Sequence, residues 1–388
     1  MLNIIVNNGS TSKKYALFNK DERVYFAYYE KTPKGFLLTE TVDEKDLEIE
    51  IDQEIFDTSF SHFIDSLLSK SFIKSEDDIT SVTFRTVAPR KYFQEHKIID
   101  SDFLEKLDDV FEMSPLHIKP LKESISFVSD RLPGVTKVSI SDSAFHRTLL
   151  DEAKIYALPT DLTEKLELYR YGYHGISVEY VVGYLNESDS LGDKAIICHL
   201  GGGSSVTAIK DGKSIDTSMG FSPLEGLPMA TRVGNADPNS LIAIMDEMNF
   251  DTLELQDFLY KNCGVSAISG LSSDTRVLLE EVNKGNKEAE LAINFYVYSI
   301  KKYIGAYATL LGGLDSLIFT GKIGERSAEV RKRVCEGLKV WGGDLDLSKN
   351  KLQVSGSGKI SSSESKIDVQ VVRTNEVEEM NKLAQKLL

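Results

Sequence analysis

Cysteine is scarce in this chain: Cys198, Cys263 and Cys335 are the only three among 388 residues. Their odd count, distant positions and lack of metal-ligand spacing exclude a disulfide framework and fit a reducing compartment. Long apolar runs are missing too, since no stretch approaches the ~18 consecutive apolar residues of a membrane span. The opening MLNIIVNNGS carries neither a basic leader nor an apolar segment long enough for a signal peptide, so the expected location is the cytoplasm. Positive charge is in deficit, with 45 Lys and Arg against 60 Asp and Glu and a net charge of −15. That balance argues against nucleic acid as a partner, and it means that any phosphate-bearing ligand must be held by a local basic site against the global field.

What remains is globular. Hydrophobic residues at 41% and charged residues at 27% exclude a disordered chain, and the length exceeds one ordinary core, so two domains are expected. Alternation predicts strands at NIIV, KYALF and RVYFAYY, separated by the turns NNGSTS and NKDE. The pattern returns at AIICHL, GGGSS, VTAI, KDG and KSIDTS. Two strand, Gly/Ser-turn and hairpin units, near residues 3–30 and 195–218, suggest an internal duplication whose turns would face each other across a cleft and suit phosphate. Apolar residues at three- and four-residue steps, from Ala289 to Leu311, predict a core helix over 286–311 ending at Gly312. The Ser/Gly-rich stretch 355–366 reads as a surface loop between two strands, and the acidic run 41–54 as solvated surface.

Several side chains stand where chemistry is plausible. His117, His146, His174 and His199 each lie among polar residues in turn-rich contexts, although a lone histidine is more often a satisfied core residue. Asp142 ends the β-branched approach SISDSAF, a position suited to magnesium or substrate, or else to an Asx turn. Arg85 inside VTFRTV requires an anionic partner, either a ligand or a structural carboxylate. Arg232, in the irregular segment GFSPLEGLPMATRVGNADP, either pairs with Glu225 or Asp237 or clamps an anion. DSLIFTGKIGERS reads as a buried strand entering a glycine turn and a helix, with Lys322 between Gly321 and Gly324.

Taken in order, these segments resemble the acetate kinase family of acetate and propionate kinases, within the actin, sugar-kinase and heat-shock ATPase superfamily. The resemblance covers nearly the whole chain and is most specific in DTSMGFSPLEGLPMATRVGNADP, with ISDSAFHRTLLDEAKIYALP, RYGYHGIS and SGLSSDTR close behind. It implies an α/β fold of two duplicated ribonuclease-H-like, actin-like ATPase domains closing over a cleft. The first would comprise residues 1–145 completed by 376–388, and the second, donor-binding domain residues 146–375. It also implies reversible, magnesium-dependent transfer of a phosphoryl group from ATP to a short-chain carboxylate such as acetate, giving ADP and an acyl phosphate, in a homodimer.

The same resemblance assigns roles residue by residue. Arg85, Asp142, His174 and Arg232 match the catalytic positions, and Arg85 with Val87, Leu116, Tyr173 and Pro223 matches the lining of the small acid pocket. Asn7, Ser10, Ser12 and Lys14 fall in the first phosphate loop, and His199 with Gly201, Gly202 and Gly203 in the second. Asp274, Thr275 and Arg276, with Gly321, Lys322, Ile323 and Gly324, fall on the adenosine side, and Asn7, Asp142 and Glu376 at the magnesium site.

Departures from the family pattern cluster around both substrates. Phe84 replaces a usual histidine, and VAPRKYF follows the strand arginine where the family has HGG, so Pro89, Arg90 and Lys91 stiffen and fill a normally flexible loop. Acceptor specificity is therefore expected to differ. Tyr173 replaces a usual phenylalanine, adding a hydroxyl that either favours a more polar acid or reaches solvent. Lys322 replaces a glycine and Thr275 an aromatic residue. Either Lys322 snorkels to solvent and ATP binds as usual, or it closes the adenosine pocket in favour of pyrophosphate. A catalytically weak, metabolite-binding paralogue is a further alternative, against which stand Arg85, Asp142, His174, Arg232 and Glu376.

Overall fold

The computed structural model describes residues 1–9, 12–32, 35–42, 45–353 and 356–388. The alternating opening segments form the antiparallel strands β1 (Leu2–Asn8), β2 (Ser12–Asn19) and β3 (Glu22–Thr32). The meander continues through β4 (Gly35–Val42) and β5 (Lys45–Ile51). On its other edge β1 pairs in parallel with β6 (Ile79–Thr86), and β6 pairs in parallel with β8 (Thr136–Ser141). The short β7 (Lys97–Ile98) runs antiparallel to β8, giving the order β5-β4-β3-β2-β1-β6-β8-β7. Part of the acidic run 41–54 is thus an ordered edge strand: β5 is exposed along nearly its whole length, and its charges discourage edge pairing with another chain.

The second sheet repeats the plan. Strands β9 (Lys194–Leu200), β10 (Ser204–Lys210) and β11 (Lys213–Thr217) form the meander. β12 (Ser316–Thr320) pairs in parallel with β9, and β14 (Asp368–Val371) with β12. β13 (Gly358–Lys359) is antiparallel to β14, completing the order β11-β10-β9-β12-β14-β13. Meander, two parallel strands and a short outer antiparallel strand therefore occur twice, so the duplication reaches well past the two glycine turns. The Ser/Gly-rich stretch 355–366 contains β13 and a loop to β14; its first residue, Ser355, lies outside the described residues.

The chain divides into two units, Met1–Ala144 with Asn375–Leu388, and Phe145–Thr374. Within the first, buried Asn3 explains why the final helix, Glu376–Gln385, packs against β1 and β6. Its amide donates to Asn381 Oδ1 at 3.0 Å, while its own Oδ1 accepts from Ser81 and Thr83 at 3.0 Å. A buried amide left unpaired would be costly, so this set of bonds fixes the helix in register. In the second unit, helix Lys287–Leu311 is capped by Asn286, stops at left-handed Gly312, and buries the periodic face from Ala289 to Leu311 against the sheet. Among the described residues no helix is long and apolar enough to cross a membrane.

Candidate active site

Parallel strands place functional groups beyond their carboxyl ends, and the first unit follows that rule. Asn7 lies near the end of β1, Arg85 near the end of β6, Asp142 just past β8, and Glu376 opens the final helix. Arg85 Nη2 donates to Asp142 Oδ2 at 2.8 Å, and its Nη1 lies 3.7 Å from Glu376 Oε2. Asn7 bridges the group, donating to Glu376 Oε2 at 2.8 Å and accepting from Arg85 Nη1 at 3.4 Å. The side chain of Asp142 is 1% exposed and that of Glu376 11%, so two carboxylates share one guanidinium almost away from water. Burial works against the Arg85 charge, but Asp142 and Glu376 outweigh it and hold the group protonated beyond its ordinary range. The anionic partner that Arg85 requires is thus supplied by the fold.

Other members of the first unit are less converged. Ser10 lies outside the described residues. The Ser12 carbonyl accepts from Gly9 N at 2.7 Å and closes the turn, and Lys14 is the register partner of Asn7 with its Nζ 5.8 Å from the Tyr28 ring centre. Val87 and Leu116 are half-buried, the latter in the first turn of helix Pro115–Arg131, where His117 meets Ser114 Oγ at 3.3 Å.

In the second unit His174 adopts a left-handed conformation (φ 62°) at the start of helix Gly175–Glu187. Its ring stacks on that of His199, from β9, with centroids 4.1 Å apart. Ser205 Oγ is 3.0 Å from His174 Nδ1, and Ser177 Oγ is 2.8 Å from His199 Nδ1. The turn Gly201–Gly202–Gly203 links β9 to β10, and a Cβ on Gly203 would lie 3.0 Å from His174 Nε2 and 3.6 Å from Arg232 Nη1. Glycine therefore lets an imidazole and a guanidinium converge over one turn. Ala230 N donates to Gly202 O at 3.2 Å, tying the Arg232 segment to the same turn.

Neither acidic neighbour in sequence is the partner of Arg232. Glu225 accepts from Arg170 at 2.6 Å and from Tyr156 at 2.5 Å, while Asp237 caps helix Pro238–Met248. Beneath Arg232 lies the Tyr260 ring, 5.4 Å from its Cζ. Gly264, at φ 69°, packs so closely that a Cβ would come within 2.2 Å of Met229 O and 3.0 Å of Arg232 N.

Tyr173 is buried and its hydroxyl donates to Phe221 O at 2.8 Å, so that group is engaged by the backbone; Pro223 is buried in the same segment. His146 is structural: fully buried, it meets Ser214 Oγ and Tyr173 O, each at 2.9 Å. Asp274 caps helix Thr275–Asn283 and takes Arg276 in a fork, Nε to Oδ1 at 3.1 Å and Nη2 to Oδ2 at 2.6 Å. Arg276, then Lys322, hold the Asp274 carboxyl below its ordinary pKa. Lys322 is exposed while Gly321 and Gly324 are buried, so the lysine stem does not fill the turn. Thr275 and Ile323, with Met229, Val265, Ile293 and Tyr296, line a small apolar hollow beside Gly201.

Two contributors left no mark in the sequence. Tyr260 is one. The other is Arg331, fully buried, whose guanidinium donates to Gly324 O at 2.8 Å and to Glu325 O, Asn350 Oδ1, Asn350 O and Gln353 O at 2.7 Å. It pins the glycine turn after β12, and burial pulls its pKa down to about 10. In SAEVRKRV it reads as one more solvated helix charge.

A sheet plan repeated in one chain, with polar groups gathered at strand ends in each copy, is the architecture of actin-like ATPase phosphotransferases. The chain belongs to the acetokinase family, whose model matches residues 2–382. It is 39% identical over 383 residues to the acetate kinase of Desulfitobacterium hafniense strain DCB-2, covering 96% of each chain. Among solved structures it resembles a propionate kinase from Francisella tularensis, with a TM-score of 0.89, 32% identity and 100% of each chain covered. It also resembles Porphyromonas gingivalis acetate kinase, with a TM-score of 0.85, 32% identity, and 100% of this chain and 99% of that one covered.

Proposed function

We propose that this chain catalyses reversible phosphoryl transfer between ATP and a short-chain carboxylate, acetate in the simplest case. The observation that carries this reading is the convergence of His174 and Arg232 over the Gly203 turn in a member of the acetokinase family. The acceptor carboxylate, with a pKa of about 4, is already ionised at neutral pH, so no general base is required. One of its oxygens bonds to the γ-phosphorus, the bond from that phosphorus to the bridging oxygen breaks, and the electron pair leaves with ADP. No proton moves in that step. Catalysis then rests on positioning and charge stabilisation. Arg232 and His174 donate to the equatorial phosphoryl oxygens, and Arg85 orients the acceptor carboxylate.

Asp142, Glu376 and the Asn7 amide oxygen are the groups that would hold magnesium, which when bound supplies neutralising charge to the donor phosphates. Two nearly dry carboxylates and one amide suit an ion that takes one or two carboxylates and keeps several waters, and among the described residues no cluster of three acidic, His or Cys ligands forms an all-protein cage. Ser10, Ser12 and Lys14 of the first unit, and His199 and Gly201–Gly203 of the second, are assigned to the donor phosphates. Asp274, Thr275 and Arg276, with Gly321, Ile323 and Gly324, serve the adenosine side of the donor. Because Lys322 is exposed and its stem does not fill the glycine turn, ATP is favoured over pyrophosphate. Val87, Leu116, Tyr173 and Pro223 border the acid. We further infer a cytoplasmic homodimer.

Acyl phosphate trapped with hydroxylamine, from acetate, magnesium and either ATP or pyrophosphate, tests the proposal. Hydroxamate with ATP is expected, and none with any donor and acid would reject it.

A further inference from the structure

The segment around Arg232 is bonded on both sides of the arginine to the end of helix Thr252–Lys261 and the chain beyond it. Thr231 Oγ1 donates to Tyr260 O at 2.8 Å, and Val233 N donates to Leu259 O at 3.1 Å. Past the helix, Cys263 N donates to Thr231 O at 3.0 Å and Val265 N to Met229 O at 2.9 Å. Residues 229–233 are thus stitched to residues 259–265, which fixes the separation at which side chains from the two segments meet.

The side chain that meets Arg232 there is Tyr260. It is buried, and the Arg232 Cζ lies over its ring, 5.4 Å from the centre. Burial raises the pKa of the Tyr260 hydroxyl, and Arg232 opposes that without reversing it, so the guanidinium meets a neutral ring and not a phenolate. The difference has a chemical consequence. A carboxylate takes a guanidinium by its N–H edges, which are the edges that a phosphoryl group needs. A ring takes it by its face and leaves those edges to a ligand. Arg232 Nη1 lies 3.9 Å from Met229 Sδ, a weak acceptor, and a Cβ on Gly203 would sit 3.6 Å from the same Nη1 and 3.0 Å from His174 Nε2. That edge therefore lies at the glycine turn where the imidazole converges. Arg85 is held the other way, by carboxylates at its edges.

We propose that Tyr260 is a positioning residue for Arg232: its ring fixes the plane of the guanidinium and leaves the N–H edges for the transferring phosphoryl group. The inference rests on the phosphotransferase reading. Tyr260 takes no part in bond making. It removes rotamers that Arg232 would otherwise sample, so less order remains to be imposed when the transition state forms. An interaction that matters most in the transition state shows itself in kcat and not in KM.

The test measures hydroxamate formation and urea unfolding in the wild type, Y260F, Y260L, R232A and the Y260L/R232A double variant. Y260L is expected to lower kcat about tenfold or more while KM for ATP and for acetate stays within about twofold. Y260F, which keeps the ring and loses the hydroxyl, should retain at least about a third of kcat. In unfolding, the double variant should lose less than the two single losses combined, because each single change already deletes the same contact. A Y260L enzyme that turns over like wild type, a Y260F enzyme that falls as far as Y260L, or additive unfolding losses each overturn the proposal. Coupled unfolding losses in a wild type that forms no hydroxamate from any donor and acid would uphold the pairing and sink the phosphotransfer reading instead.

Discussion

The two units carry the same sheet plan but load it differently. In the first, charge opposes charge: Arg85 sits between Asp142 and Glu376, which are nearly buried. In the second, Arg232 rests on an aromatic ring beside an imidazole, and the nearby acids are engaged elsewhere. The first cluster is thus part of what holds its unit together, since each ion exists in the interior only because of the others. The second is held from outside, by backbone bonds such as Ala230 N to Gly202 O and Val265 N to Met229 O, and by glycines that let the segments approach. Duplication repeats a scaffold; which charges are structural as well as functional is decided separately in each copy.

Replacing each arginine by alanine should separate the two cases most sharply. Arg232→Ala is expected to lower kcat/KM by about a thousandfold or more while stability to urea falls by less than about 1 kcal/mol, the worth of a partly exposed cation–ring contact. Arg85→Ala should also abolish turnover, but it leaves two buried carboxylates facing each other and should cost about 3–5 kcal/mol in the same denaturation experiment. Equal stability losses would break the contrast.

A smaller effect is expected at Gly264, where an added methyl would meet Met229 O at 2.2 Å in a left-handed backbone. Gly264→Ala should destabilise by roughly 1–3 kcal/mol and lower kcat more than it raises KM, because the Arg232 backbone must shift. A variant with wild-type kcat would show that Arg232 is not positioned from behind in this way. The smallest effect concerns Glu325, whose carboxyl accepts from Gly321 N–H in the turn after β12 and whose pKa burial raises. Because the ionised form is disfavoured in the folded state, wild-type stability should erode as pH climbs from the ordinary value of 4.5 through the raised one. Glu325→Gln removes that term, so the Tm of the variant minus that of wild type should grow from pH 4 to pH 8; a flat difference would reject the assignment.

Much of the scaffold was legible locally. The 286–311 periodicity, with Asn286 before it and Gly312 after it, marks the long helix because caps and apolar faces are properties of adjacent residues. The two glycine turns announced the repeat for the same reason. The site was only half legible. Arg85 in an apolar strand announced a need for an anion, but Asp142 and Glu376 come from distant parts of the chain, and their arrival cannot be read from spacing. His146 resembled the other polar-flanked histidines, yet Ser214 and the Tyr173 carbonyl close both its nitrogens. The Tyr173 hydroxyl, which could have served the acid pocket, is engaged by Phe221 O instead.

By itself the sequence determined the elements, the duplication, the glycine turns and the family, because these depend on short-range pattern and on motifs that stay colinear. Only the tertiary structure decided which charges are buried and by what they are met. Arg331 reads like its neighbour Arg333 until Asn350 and Gln353 close over it, and Arg90 reads like a surface basic residue until the fold gives it a glycine's backbone and seals its Nε. The physical reason is that the cost of a charge is set by whatever displaces its water, and those groups come from segments far away in the chain.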